Sequence, residues 1–474
     1  MLMRALLRRR DQARRLRWTV CLCSLVVAAA DAAAGGSVLP PWLPRNPACR
    51  PSSGCPLPAR YSAGTVVVNT SVFLQPANTA AQNTAGWKRL VELLQRTPNA
   101  VATFPGGAYD VTPLSPASGF VNVTIAGAQG VSPTVFRVFN ATGAHVAAWS
   151  NSRGLYLRDL IFVAVGVRPW SKECNTQACV TTSGLNWFNV SDTIVEGVQM
   201  IGGRMMSMAG GCPCSSCTCY NPPINFHFRR CYAANAPVGI FLCDSWYSSI
   251  EDSVAENITG SPGYGIEIKS AAIGNWITNS TARNCKAGFA HGSMNGFVDR
   301  SWATNLTAVD CQTAVVTSGS NCVWEDVHVY GANTTATAVD CMVNRVGSGR
   351  NNTFVISVHS ILDNPTAAHV KMHQGATGNV VDLKQWPSST QILDVAFVAG
   401  SVLEGQSNGI APSLPTCYGS PSECGCPTTC SNLTAAERVG SDNVVNVRVS
   451  LAQAPVCSGD CQNNSIHFLN GTMV

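Results

Sequence analysis

The alternation of apolar and polar positions is clearest between Phe226 and Gly331, where one eight-residue phrase recurs. It reads Phe228-Arg-Arg-Cys-Tyr-Ala-Ala-Asn235, Ile250-Glu-Asp-Ser-Val-Ala-Glu-Asn257, Ile277-Thr-Asn-Ser-Thr-Ala-Arg-Asn284 and Val298-Asp-Arg-Ser-Trp-Ala-Thr-Asn305, with a weaker fifth copy from Val323 to Tyr330. Successive starts lie 22, 27, 21 and 25 residues apart. Each copy opens on an aliphatic residue or Phe, and the first four share Cys or Ser, then Ala, then Asn. This is a strand of alternating faces that ends at a turn residue. Between copies a second apolar phrase recurs at Gly239, Gly265, Gly288 and Ala314. A period in the low twenties with two or more short strands and no helical pattern marks a solenoid.

The regular Leu framework of a leucine-rich repeat is missing, which leaves a parallel β-helix. Each turn of chain is then one rung, equivalent residues stack at ~4.8 Å, and inward Ile, Val and Ala columns form the core. The recurring Asn belongs at a tight corner, where Asn accepts left-handed dihedrals. Further rungs are expected at Leu155–Phe162, Ile194–Met200, Asn352–Val358, Asn379–Leu383 and Ile392–Phe397.

Ahead of the rungs, Trp87, Leu90, Val91 and Leu94 follow helical spacing. The spacing predicts a helix over about 83–96, with Asn83 or Thr84 as its cap and Pro98 as its stop. Such a helix covers the apolar columns that a first rung leaves open. The stretch Val101 to Asp110 then reads as strand, turn and strand.

The order Asn83-Thr-Ala, helix, apolar strand, Phe104-Pro-Gly-Gly, Tyr109, followed by Val121-Asn-Val-Thr-Ile-Ala-Gly127, resembles the entrance of pectin-lyase-like right-handed β-helix proteins. The resemblance covers roughly Thr65 to Gln406. It implies an all-β, right-handed, single-stranded parallel β-helix with a short N-terminal capping helix. It also implies a carbohydrate-active function: a polysaccharide lyase or glycoside hydrolase acting on a uronate-type or wall polysaccharide. The alternative is a non-catalytic glycan-binding or structural extracellular glycoprotein.

Composition sets the compartment. Seven arginines precede Trp18, an apolar run follows to Ala30, and small residues follow to Gly35. This predicts a signal peptide over residues 1–34. The run is short for a span of ~20 residues, so no stable membrane insertion is expected, although a signal anchor in the secretory pathway is the alternative. Without the leader the chain holds 24 basic and 24 acidic residues, which gives no electrostatic footprint for nucleic acid. Twelve sequons, from Asn69 to Asn470, point to a secreted glycoprotein of the extracellular space or cell wall. Twenty cysteines remain after the leader, and in an oxidising compartment these are expected as disulfides. The domains then run as a Pro/Cys-rich arm over 35–64, the β-helix over 65–406, and a Cys-rich C-terminal cap over 407–474.

The cluster Cys212-Pro-Cys-Ser-Ser-Cys-Thr-Cys219 has the ligand density for zinc or copper(I), but beside other cysteines such a knot reads as disulfides, with Cys231 and Cys243 as candidate partners. No cluster of Asp suggests calcium. The sequence therefore calls for no metal and no cofactor, and its expected partner is a polysaccharide.

Enzymes of this fold use outward polar side chains of neighbouring rungs. If Ile266 and Ile268 point inward, Glu267 and Lys269 point outward together. The rung before places Asp244 opposite Lys269, and the rung after supplies His291. The segment Gly263-Tyr-Gly-Ile-Glu-Ile-Lys-Ser270 has the outline of the polygalacturonase Gly-His-Gly segment, with Tyr264 in place of the His. The other acidic motifs of that family and its later Arg-x-Lys are absent, so its catalysis is not carried over. Asp244, Glu267 and Lys269 are the expected catalytic groups, with His291 and Tyr264 on the substrate. The backbones of Asp244 and Glu267 come out ~8 Å apart, a spacing that suits an inverting hydrolase. Lys269 is the candidate base for a lyase. An outward Glu and Lys two residues apart also make an ordinary solvated ion pair, and Arg229, Arg230, Glu251, Asp252, Asp299 and Arg300 read as mixed-charge columns on the other strand.

Overall fold

The computed structural model describes residues 66–139, 145–165, 184–203, 206–209, 224–243, 245–260, 263–269, 272–292, 298–332, 334–341, 349–362, 368–373, 376–387, 393–398, 443–447, 456–459 and 464–468. These residues form one α-helix and a column of parallel strands gathered into a twenty-stranded sheet, a twelve-stranded sheet and a two-stranded sheet. The architecture is a right-handed parallel β-helix. Each rung gives an arm to the twenty-stranded sheet, turns, and gives one strand to the twelve-stranded sheet. Among the described residues no helix is long and apolar enough to cross a membrane.

The helix, α1 (Ala80–Gln95), starts three residues before the predicted boundary. Its cap is Thr79, whose hydroxyl accepts the Gln82 backbone N–H while the Gln82 side chain accepts from Thr79, a reciprocal capping box. Asn83 is instead buried inside the first turns, where Oδ1 accepts Gln75 N–H and Nδ2 donates to the Asp110 carbonyl. Trp87, Leu90, Val91 and Leu94 are buried as the spacing required. Trp87 packs against Phe104 and Phe136, closing the first rung. Gly86 is required by contact, since a Cβ there would lie 1.9 Å from the Phe73 carbonyl oxygen.

The rung columns follow the predicted phrases with one slip. Phe228 pairs with Ile250 and Ile250 with Ile277, but Ile277 pairs with Ala303, and Ala303 with Trp324. The fourth and fifth copies therefore start at Ala303 and Trp324, while Val298 pairs with Ala272 in the two-stranded sheet. The slip has a structural cause: the rungs turn at several left-handed corners, and Asn serves more than one of them. Asn235, Asn257 and Asn284 occupy one corner at φ 56, 55 and 53, whereas Asn279 and Asn305 stack at another at φ 48 and 52. The second phrase is in register as expected, with Ile240, Ile266, Phe289 and Val315 in one inward column.

Inside the helix a polar ladder runs along one wall. Asn352, Asn379 and Asn443 are fully buried, and the amide Nδ2 of each donates to the Oδ1 of the Asn one rung later, ending on Asn464. The backbone N–H of each donates to the same oxygen. Lower in the stack the backbone N–H groups of Phe226, Ser248 and Asn275 donate in the same forward sense to Ser248 Oγ, Asn275 Oδ1 and Ser301 Oγ, while Asn275 Nδ2 donates back to Ser245. A buried amide is tolerated because both ends are satisfied.

Stacking continues at Val444–Val447, Val456–Gly459 and Ser465–Phe468, within the stretch read from sequence as a cap. Cys231, Cys285, Cys311, Cys322 and Cys341 are buried free thiols, which corrects the disulfide expectation for these five. They face inward as small apolar residues, and burial pushes the Cys231 and Cys322 thiols up to about 12. The cluster Cys212 to Cys219 lies outside the described residues.

Candidate functional site

The predicted patch is only partly assembled. Ile266 and Ile268 point into the core, so Glu267 and Lys269 do share the outer face of the twelve-stranded sheet. Glu267, however, is 1 % exposed, and Lys269 lies half-buried with Nζ 4.5 Å above the Phe241 ring. The partner of Lys269 on the rung before is Cys243, not Asp244. Asp244 itself lies outside the described residues. Tyr264 is buried against Ala287, Ala290 and Val316.

His291 continues the inward column of Ile268 and Thr317. It is wholly buried, its ring lies 4.1 Å from that of Trp324, and neither nitrogen has a hydrogen-bond partner. Burial lowers its pKa to about 3, so it is a neutral core residue and presents nothing at the surface.

The outer face of the twenty-stranded sheet carries a denser constellation. One column runs Arg158, Glu196, Arg229, Glu251 and Thr278 on successive rungs, and beside it runs Tyr156, Ile194, His227, Ser249, Trp276 and Trp302. Parallel pairing in register produces both columns, because every second residue of each short strand faces outward. Glu196 accepts from the Tyr156 hydroxyl, and Arg230 Nη2 lies 2.8 Å from its Oε1. Burial, followed by the bond to Glu196, pushes the Tyr156 hydroxyl up to about 12, so it stays a donor.

Glu251 is held from three rungs. Its Oε1 lies 2.6 Å from Ser249 Oγ and 3.3 Å from Trp276 Nε1, and Oε2 lies 3.2 Å from Arg229 Nε. Behind Ser249 stands His227, 1 % exposed, with Nδ1 2.7 Å from the serine oxygen and Nε2 2.6 Å from Asn225 Oδ1. Burial first, and Arg229 second, lower the His227 pKa to about 3. The Trp276 and Trp302 rings stack at 5.9 Å and 12°, with Trp302 half-buried. The two carboxylates are two rungs apart, about 9.6 Å along the stack, with Arg229 between them. This arrangement can place a donor and an acceptor of protons on one extended ligand, beside an aromatic surface. Among the described residues no group of His, Cys, Asp or Glu is arranged to hold a metal ion.

The sequence marks Arg229, Arg230 and Glu251 as part of a mixed-charge column and does not bring Glu196, Tyr156, His227 or Ser249 together with them as a site. The available signal was the aromatic and hydroxyl column of Tyr156, Ser249 and Trp276 beside the acidic one, which only the register makes visible.

The coils, their register and the capping helix decide the fold, and solved structures agree. The DFA-IIIase of Arthrobacter chlorophenolicus A6 aligns at TM-score 0.51 and 11% identity, over 86% of this chain and 99% of that one. This chain has the pectin-lyase-like β-helix fold. The Agl-KA catalytic domain aligns at TM-score 0.52 and 11% identity, over 88% of this chain and 70% of that one. Gene product 12 of bacteriophage phi29 aligns at TM-score 0.54 and 12% identity over 84% of this chain, which spans 51% of that one. No protein-family model matches the sequence, and no curated protein is similar to it.

Proposed function

We propose that this chain is a secreted, carbohydrate-active β-helix glycoprotein that binds a polysaccharide along the outer face of the twenty-stranded sheet. Glu196 and Glu251 together form its acid–base pair for glycosidic hydrolysis. The observation that carries the reading is the pair itself: two partly buried carboxylates two rungs apart, flanked by Tyr156 and the stacked Trp276 and Trp302. Inverting hydrolases leave ~6.5–9.5 Å between carboxyl groups to admit a water, and a backbone spacing of about 9.6 Å lies close to that range. The groups on the twelve-stranded face support catalysis less well, because Glu267, Tyr264 and His291 are each 1 % exposed or less. A neighbour of the same fold, the DFA-IIIase, was crystallised in complex with GF2.

A second reading has its own support. Each carboxylate already has protein partners, as in a structural ladder, which suits a rigid glycan-binding rod without turnover. One experiment separates the two. The secreted protein is incubated with a panel of uronate and neutral polysaccharides while reducing ends and absorbance near 235 nm are followed together. Reducing ends alone support hydrolysis by the carboxylates, and ultraviolet absorbance indicates β-elimination. If both stay flat while the folded protein retains a glycan, the binding reading replaces the catalytic one.

A further inference from the structure

The arginines on the outer face of the twenty-stranded sheet are matched to carboxylates one by one. Three matches join different rungs: Arg229 Nε lies 3.2 Å from Glu251 Oε2, Arg230 Nη2 lies 2.8 Å from Glu196 Oε1, and Arg153 Nε lies 2.8 Å from Asp192 Oδ2. Two join neighbours in the chain at the corners, with Arg158 Nη1 3.8 Å from Asp159 Oδ2 and Arg300 Nε 3.2 Å from Asp299 Oδ2. Further along the same sheet, Arg283 stands in register over Glu256, one rung away. Every described arginine from Arg153 to Arg300 therefore faces a carboxylate. One carboxylate is left over, that of Asp252, exposed at the left-handed corner beside Glu251.

This pairing decides which sugar the face accepts. A uronate unit brings a carboxylate, which gains most where a guanidinium is open to bond both its oxygens. Here the guanidiniums are taken. The pair Arg229–Glu251 is the most enclosed, with 15 % of either side chain exposed. A uronate that claimed Arg229 would leave Glu251 as a largely buried charge without its cation, and one that did not would lie uncompensated among Glu196, Glu251 and Asp252. Both outcomes oppose binding, the first through desolvation and the second through like-charge repulsion. A neutral sugar meets neither cost. Its hydroxyls donate and accept together, so they bond to a guanidinium–carboxylate pair without separating it. Its apolar ring face suits the half-buried indole of Trp302, which stacks on Trp276.

We propose that the polysaccharide of this face is neutral, a chain of uncharged hexose or pentose units, and that the arginine–carboxylate pairs, Arg229–Glu251 above all, are the specificity-determining groups that turn uronate polymers away. This rests on the reading of the face as a polysaccharide site. It also selects between reaction classes. β-Elimination needs a carboxylate on the carbon next to the bond that breaks, to acidify the proton there, and a neutral chain has none. Cleavage on this face therefore adds water across the glycosidic bond.

The test is binding of the full secreted chain, followed by affinity electrophoresis and titration calorimetry at physiological salt. The neutral set is β-glucan, mannan, xylan, arabinan and inulin, and the uronate set is polygalacturonate and alginate. At least one neutral polymer is expected to bind about tenfold or more tightly than either uronate polymer. A uronate polymer bound as tightly as the best neutral one overturns the proposal and leaves the face a polysaccharide site. A folded protein that retains no member of either set overturns the polysaccharide reading and the proposal with it. Glu251→Gln then examines the cause, since it keeps the shape of the side chain and opens Arg229. Its affinity for polygalacturonate is expected to rise about fivefold or more, a gain that high salt removes. If that variant does not fold, Glu196→Gln opens the more exposed Arg230 and gives the same readout. Unchanged polygalacturonate affinity in the folded variant overturns the role of the pairs.

Discussion

On the twelve-stranded sheet the outward column through Glu267 runs Phe241, Glu267, Ala290 and Val316, all at most 5 % exposed. On the twenty-stranded sheet the column through Glu251 runs Glu196, Arg229, Glu251 and Thr278, part-exposed and linked across rungs. Both are built by the same alternation, yet one stacks a carboxylate among apolar neighbours and the other repeats charge with opposite signs. An outward position in a solenoid is therefore only a direction. Whether it becomes chemistry depends on which residues the rungs above and below deliver.

The strongest way to break this comparison is to compare the carboxylate and the lysine. Glu251→Gln is expected to lower hydrolysis about 10³-fold, the usual worth of a general acid or base, while Lys269→Ala leaves it within about twofold. Initial rates of reducing-end release on the folded variants decide it, and equal losses would return the site to the twelve-stranded face. Acidification gives the next largest effect. His291 has a folded pKa lowered to about 3, so the unfolded chain binds its proton first as pH falls below 6.5. Stability is thus fully present above about pH 6.5 and is lost progressively toward pH 3, by about 3 kcal/mol at pH 4.5. Denaturant midpoints measured from pH 7 to 4.5 should fall less steeply in His291→Leu, with binding to a glycan unchanged.

A smaller effect sharpens the aromatic half of the site. Trp302→Ala is expected to weaken glycan affinity about fivefold, roughly 1 kcal/mol of stacking, which titration calorimetry would register. An unchanged Kd would make the Trp pair purely structural. The smallest effect is expected at Arg230, whose side chain is 63% exposed. Arg230→Ala should cost under about 1 kcal/mol in unfolding free energy, since exposed ion pairs add little.

The fold was legible because the core columns repeat in type: Phe228, Ile250 and Ile277 sit one above another as their phrases do. The slip at Val298 arose where the phrase repeats but the corner does not, since Asn suits every left-handed turn equally. The site was less legible. Ser249, Trp276 and Glu251 meet through rungs of 22 and 27 residues, and a one-residue error in register turns each to the opposite face. The same sensitivity separated Asp244 from Lys269, whose partner is Cys243. Burial of Glu267 was not readable at all, because neighbouring rungs and not its own strand supply Ala290 and Val316.

The internal asparagine ladder has a direction. From Asn352 through Asn379 and Asn443 to Asn464, each side-chain amide keeps one hydrogen on a carbonyl of the earlier coil, at Gly319, Gly349 and Ala376, and sends the other forward to the next Asn oxygen, as its backbone N–H also does. Each completed coil thus presents an unfilled donor to chain not yet made, and the next coil supplies the acceptor when it arrives. A polypeptide leaving the ribosome N-terminus first meets these positions in the order in which they can be satisfied. The ladder makes vectorial synthesis and the order of folding run the same way along the molecule.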